Sequence, residues 1–266
     1  MRRTLTLLFT LVPVLAAPMS AQEVFRSVQS ANLPTAEIMA KGSWLFEISH
    51  RFDTPASDGA SALWGFDGPV YNRIGIAYSA ADVAQLGILR SNFDDNLEFN
   101  AKFGLWSGGE DGMPMKIAAM GGAAFNTQVF EVDGAEANEL QAYAELIINT
   151  LIGDRFALGV VPAYLHNQRL RDVDAHGAIV VGVHGQLHLT PSMGLLVEWV
   201  ASPERTGLEE DPLTFGIEGA TRGHVFKLVV TNQARTNPTQ VLAGSRTEFT
   251  PDEWRFGFNI TRLLPF

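Results

Sequence analysis

The chain has 266 residues, with 29 acidic against 19 basic side chains, a formal net charge of -10 and no cysteine. An acidic surface repels phosphates, so nucleic acid is excluded as a partner. Without cysteine there is no disulfide, thiolate nucleophile, cysteine metal ligand or amino-terminal lipid attachment, so neither a redox enzyme nor a lipoprotein fits and no cofactor is implied.

The first element is MRRTLTLLFTLVPVLAAPMSAQ: two arginines, an apolar run from Leu5 to Ala17, then small residues. That is the plan of a secretory signal peptide over residues 1–21. The apolar run is too short to span a bilayer as a helix, which takes about 20 residues. Cleavage fits after Ala21, where Met19 is a poor small residue, or after Ala16. Loss of Arg2 and Arg3 would leave a net charge of -12. No Pro/Ser-rich linker divides the rest, so residues 22–41 read as a polar periplasmic segment, with a turn at Asn32-Leu33-Pro34, and residues 42–266 as one β-domain.

From Ser43 onward the period is two. Trp44, Phe46, Ile48 and Phe52 share one face of the first strand, and Ser43, Glu47, Ser49 and Arg51 the other. Strands follow over Val70–Tyr78 and Val83–Asn92, joined by a turn at Asp82. After the acidic turn at Asp94 and Asp95, the fourth strand alternates Leu97, Phe99, Ala101, Phe103 and Leu105 with Glu98, Asn100, Lys102 and Gly104. One of those faces is expected to meet water. Met115–Asn126 is a strand of small residues, placed where the wall is tight. The next, Glu139–Ile148, has helical propensity too but reads as strand by its alternation. Phe156–His166, Gly177–Leu189, Met193–Ala201, Leu213–Gly219, His224–Thr231 and the closing EWRFGFNITRLLPF bring the count to twelve.

Long and short connections alternate, which puts nearly all long loops at the end away from the termini; the short turn at Asp94 and Asp95 is the exception. Bacterial outer-membrane barrels have this asymmetry and an even strand number. Trp44 falls near the inner rim and Trp199 and Trp254 near the outer rim, as interface girdles require, whereas Trp106 is out of phase. In lipid no backbone amide can stay unpaired, so the last strand must pair with the first. The fold class predicted is all-β, a closed antiparallel transmembrane β-barrel of about twelve strands in the bacterial outer membrane. The alternative for each strand alone is a soluble sandwich or lipocalin-like barrel. Leu264 and Phe266 would then finish at the periplasmic interface. A terminal phenylalanine also resembles the signal by which the outer-membrane assembly machinery recognises its clients, although Arg262 and Pro265 break the alternation.

The phrases ISHRFD (48–53), WGFDG (64–68), NRIGIAYSAADVAQLGI, RGHVFKLVVTN (222–232) and RFGFNITRLL (255–264) resemble a family of bacterial β-barrel proteins classified as a domain of unknown function. The resemblance spans nearly the whole mature chain, with a departure at Val229 and Val230. It implies an outer-membrane barrel and no established activity.

The candidate site is the lumen, lined by Glu47, Arg51, Arg73, Glu98, Lys102, Glu139, Glu145, His184, His188, Glu198, Lys227 and Arg255, with Glu218. Twelve strands enclose a bore between a side-chain-filled eight-strand barrel and an open porin. Such charges either pair across it or line a narrow polar passage. His184 and His188 share a face, but four strand residues span roughly 13 Å, too far for one metal ion without further ligands. An acidic-loop calcium site at Glu209, Glu210 and Asp211 is weighed against a solvated loop, the commoner outcome. Ser49 and His50 are strand neighbours and point opposite ways, and no GxSxG, HExxH or phosphate loop occurs. The function expected is a narrow channel or small-molecule transporter for small polar solutes, in contact with outer-membrane lipids. The alternatives are a non-conducting barrel that displays its loops as a binding or assembly surface and, third, a membrane hydrolase.

Overall fold

The computed structural model describes residues 22–109, 113–128, 139–168, 170, 176–203 and 210–264. The expected leader, 1–21, and the terminal Phe266 lie outside them. Twelve strands run in chain order: β1 Trp44–Phe52, β2 Val70–Ala81, β3 Ala84–Ser91, β4 Asn96–Gly108, β5 Met115–Asn126, β6 Leu140–Ile152, β7 Phe156–His166, β8 Ala178–Thr190, β9 Met193–Ala201, β10 Leu213–Ala220, β11 His224–Thr231 and β12 Arg255–Leu264. Each pairs antiparallel with its sequence neighbours, and β12 returns to β1 in register from Trp44 opposite Leu264 to Arg51 opposite Gly257. The sheet is a closed barrel with no free edge, as backbone pairing in hydrocarbon demands.

The alternation decides which way each side chain points. Phe46, Ile74, Ile88, Phe99, Val160, Ile217 and Phe226 are exposed on the outer wall, while Glu98, Lys102, Glu198 and Lys227 are buried inside. The apolar rows therefore face the bilayer, and the soluble sandwich is excluded. Trp106 is brought back into the pattern by a bulge in β4: the register against β5 shifts between Gly104 and Trp106, which turns the indole outward, 46% exposed. The Asp94–Asp95 turn closes with both residues left-handed, φ 53° and 54°, and with the Asn96 amide donating to the Phe93 carbonyl, 3.3 Å. This is the mirror-image turn whose twist matches a tight hairpin.

Residues 22–41 depart from expectation. They were read as a periplasmic segment outside the β-domain, yet Val24, Phe25, Ala31, Leu33 and Ala36 are almost wholly buried, against side chains of the barrel interior. The physical reason is bore width: twelve strands leave more room than their own inward side chains fill. The inward face of β4 meets inserted chain, Lys102 bonding Val28 and Thr35 and Glu98 bonding Thr239.

The stability of the wall rests on apolar contact with lipid, so a charge there is costly. Ile217, midway along β10 and 49% exposed, is a clear site. Ile217→Arg is expected to destabilise the folded barrel by about 2–4 kcal/mol in equilibrium refolding into bilayers, with Ile217→Ala costing less.

Candidate functional site in the filled lumen

The amino-terminal segment enters at the end that carries both termini, the periplasmic end of a bacterial barrel. Near that mouth Arg26 donates to the Thr190 carbonyl of the β8–β9 turn. Glu37 accepts from the Val24 amide, 2.8 Å, and pairs with Lys116 at the start of β5, 2.5 Å. Deeper in, residues 28–35 form a hairpin, with the Thr35 amide on the Val28 carbonyl, 3.1 Å, and the Ser30 amide on the Leu33 carbonyl, 2.8 Å. Its turn contains the Asn32-Leu33-Pro34 that the sequence marks.

The tip of that hairpin is gripped from four strands. Glu198 on β9 accepts from the Asn32 amide, 2.9 Å, the Leu33 amide, 3.0 Å, and the Asn32 side chain, 3.0 Å. Arg51 on β1 donates to Asn32 Oδ1, 2.9 Å, and to Asn259 Oδ1 on β12, 2.8 Å; Asn259 in turn donates to the Ala31 carbonyl, 2.6 Å. Thr214 on β10 accepts from Asn32 Nδ2, 3.3 Å. Leu33 lies over Gly182 of β8, where a Cβ would come within 2.8 Å of its methyl groups.

The stem is held by cations. Lys102 on β4 donates to the Val28 and Thr35 carbonyls, 3.1 and 3.0 Å, and Lys227 on β11 to the Gln29 carbonyl, 2.7 Å, with Glu218 3.5 Å away. Arg73 on β2 bonds Glu47, Gln29 and the Thr236 carbonyl. His184 stacks flat on Phe25, ring centres 4.7 Å apart, in space left by Gly159, and its Nε2 meets Asn149, 3.3 Å.

A second stopper comes from the opposite mouth. The β11–β12 connection, a polar excursion in the sequence, folds inward around a short helix α1, Pro238–Leu242, all of it buried. Glu98 on β4 accepts from the Thr239 amide and hydroxyl, 3.2 and 3.1 Å, and from Tyr143, 2.9 Å. Asn237 donates to Asn96, 2.5 Å, and Gln240 to the Phe93 carbonyl, 2.9 Å. The short β3–β4 turn, the exception to the loop pattern, is thus the seat on which this loop docks. The two stoppers meet: Leu33, Val241 and Leu242 belong to one apolar cluster with Leu165, Val180 and Val200.

Glu47, Arg51, Arg73, Glu98, Lys102, Glu145, His184, Glu198 and Lys227 are therefore all buried in the lumen, as is Glu218. Glu145 Oε2 has no hydrogen-bond partner among the described residues. Three candidates sit elsewhere. Glu139 precedes β6 and is exposed. His188, half-buried at the periplasmic mouth, meets Gln186, 3.1 Å. Arg255 lies at the outer rim, bonded to the Asp53 carbonyl, 2.8 Å, and to Glu253, 3.1 Å. Asn259, on the polar face of the closing strand, is inside; Asn149, Thr214 and Lys116 were not singled out, although their strand phase places them inside too.

The remaining chemistry resolves into structural contacts. Ser49 donates to Glu47, 2.8 Å, while His50 stacks on Phe258 outside. Glu210 pairs its backbone with Ser245, and Asp211 accepts from Trp199, 3.1 Å; Glu209 lies outside the described residues. Among those residues no group of three or more His, Asp or Glu is placed to hold a metal ion.

The class of protein this defines is a membrane β-barrel of the bacterial outer membrane. The chain belongs to the family described as "Membrane bound beta barrel domain (DUF5777)", whose model matches residues 25–264 and so takes in the inserted segment together with the barrel. A search of curated proteins returned no match. Similar solved structures include the NanC porin (TM-score 0.49, 7% identity, 84% of this chain and 99% of that one) and outer membrane phospholipase A from Escherichia coli (0.44, 12%, 84% and 92%). The CymD monoaromatic hydrocarbon channel is a third (0.40, 8%, 86% and 89%). Likenesses this loose say nothing of what this chain carries.

Glu198 offers a direct probe of the inserted tip. Replacing a carboxylate by an amide puts a donor against the amides it now accepts from, and each charge-assisted bond contributes about 1.5–3 kcal/mol. In Glu198→Gln, residue-resolved hydrogen exchange at Asn32 and Leu33 is expected to quicken by about tenfold or more, and in Glu139→Gln to stay unchanged.

Proposed function

We propose that the protein is a stoppered passage for small polar solutes across the outer membrane, closed in the conformation described above. The observation that carries this reading is where the ionised wall groups spend their bonds. Lys102, Glu198, Glu98 and Arg51 bond the inserted segments or the wall's own asparagine and tyrosine; among the described residues two ion pairs inside, Arg73 with Glu47 and Lys227 with Glu218, join wall strands, and Arg73 and Lys227 also bond carbonyls of the inserted segments. A permanent filling has no need of them, since apolar packing of equal volume stabilises a protein as well as buried ion pairs do. A wall that must face water when its stopper leaves has to be polar.

Connectivity supports the same reading. Cleavage of the leader would leave residues 22–41 joined to the barrel through β1 alone, so the segment can withdraw without breaking any strand pairing. Selectivity would then come from the exposed charges and the bore size. Phe266 serves, on this reading, as the mark for the assembly machinery. A sealed barrel that displays its loops is the second reading, favoured by Leu63 and Trp64, each 55% exposed on the β1–β2 loop with left-handed backbone.

Planar-bilayer recording decides between them. The folded full chain is expected to be closed most of the time. A chain with a protease site at the exposed Ala40–Lys41 junction, cut after folding and washed, is expected to show at least a tenfold rise in open probability. Silence from both, and from a folded variant that also lacks Gln233–Thr250, would leave the sealed reading in place.

A further inference from the structure

Resting on the stoppered reading, we infer that the passage takes short peptides, and that residues 24–37 occupy it as a tethered peptide ligand. The wall reads this segment largely through its main chain. The carbonyls of Val28 and Thr35 are held by Lys102, that of Gln29 by Lys227 and that of Ala31 by Asn259. The amides of Asn32 and Leu33 are held by Glu198, and that of Ala36 by Asn149. Five wall side chains thus satisfy seven main-chain groups, four acceptors and three donors.

Carbonyls and amides of this kind occur in every peptide whatever its sequence, and main-chain bonding is how extended peptides are bound with tolerance for side chains. Wall side chains read side chains of the segment at four places, Asn32 at the hairpin tip by Arg51, Glu198 and Thr214, Gln29 by Arg73, Ser27 by Lys227 and Glu37 by Lys116, while its main chain is read at seven. The same habit recurs at the other mouth, where Arg73 holds the Thr236 carbonyl and Glu98 the Thr239 amide. Main-chain binders therefore follow one another along the bore. The bore now holds two antiparallel segments side by side, about 4.7–4.9 Å apart in such a pair, so one extended peptide fits with room for its side chains.

Charge is compatible with the same class. Arg51, Arg73, Lys102 and Lys227 lie with Glu47 and Glu98 on the arc from β11 through β12 and β1 to β4, and Glu198 and Glu218 lie on β9 and β10 beside it. Both termini of a zwitterionic peptide find an opposite charge along such a lining.

The test uses the chain cut at Ala40–Lys41, folded first, with the freed segment washed out; a variant lacking 22–39, checked for folding by heat-modifiable mobility, serves as the second form. Current blockade in planar bilayers and fluorescence anisotropy of labelled peptide in detergent are both read. The probes are a synthetic peptide of residues 24–39, a scrambled peptide of the same composition, and a neutral trisaccharide. Both peptides are expected to block and bind within about threefold of each other, and the trisaccharide at least tenfold more weakly. Lys102→Met with Lys227→Met is expected to weaken both peptides by tenfold or more. Open channels blocked equally by the trisaccharide, or by the native sequence alone, would overturn the peptide assignment and leave the passage standing. Absence of any conductance from either folded form would remove the passage, and the peptide route with it.

Discussion

Everything in this molecule follows from the refusal of hydrocarbon to solvate a peptide group. A sheet that crosses a bilayer has to pair every backbone N–H and C=O, and β12 closing on β1 is how this chain does so. Closure then sets the rest in motion. Outward positions must be apolar because they meet lipid; inward positions are free to be polar; and twelve strands make the interior too wide for their own side chains to fill. The interior needs an occupant, and the chain supplies it twice, from the periplasmic end and from the last outer loop.

How the occupants are held bears on what they are for. Burying a charge is costly unless its hydrogen bonds are replaced. Here the replacement comes mainly from the peptide groups of the inserted segments, which would be costly to bury in their turn. Wall and stopper thus satisfy one another, and neither is satisfied alone without water. On the proposed reading such an interface is stable when closed and hydratable when open, in contrast with a hydrocarbon core, which would close the bore for good. Leu33 of one inserted segment and Val241 and Leu242 of the other belong to one apolar cluster.

The barrel was legible in the sequence to an unusual degree, for a simple reason. Strand side chains alternate with a period of two, and a wall between lipid and a polar bore writes that period with high contrast, as in Leu97 to Leu105. The wall's inward candidates came out inside wherever strand phase was unbroken: Glu47, Glu98, Glu145, Glu198 and Lys227. Departures from the alternation sit where phase ends or slips. Glu139 is one residue before its strand, Arg255 is at a rim, and Trp106 follows a bulge that no count of alternation can foresee.

Residues 22–41 were the large miss. Nine of these twenty residues are apolar but irregularly spaced, and nothing local says that Asn32 will meet Glu198, 166 positions away. By itself the sequence determined the strands, their direction, the closed wall and the ionic lining, since each depends on periodicity and on the solvent a face must meet. Only the tertiary structure decided that the lining grips peptide backbone instead of water. That outcome depends on bore diameter and on the convergence of side chains from strands distant in the chain, and both exist only once the cylinder is closed.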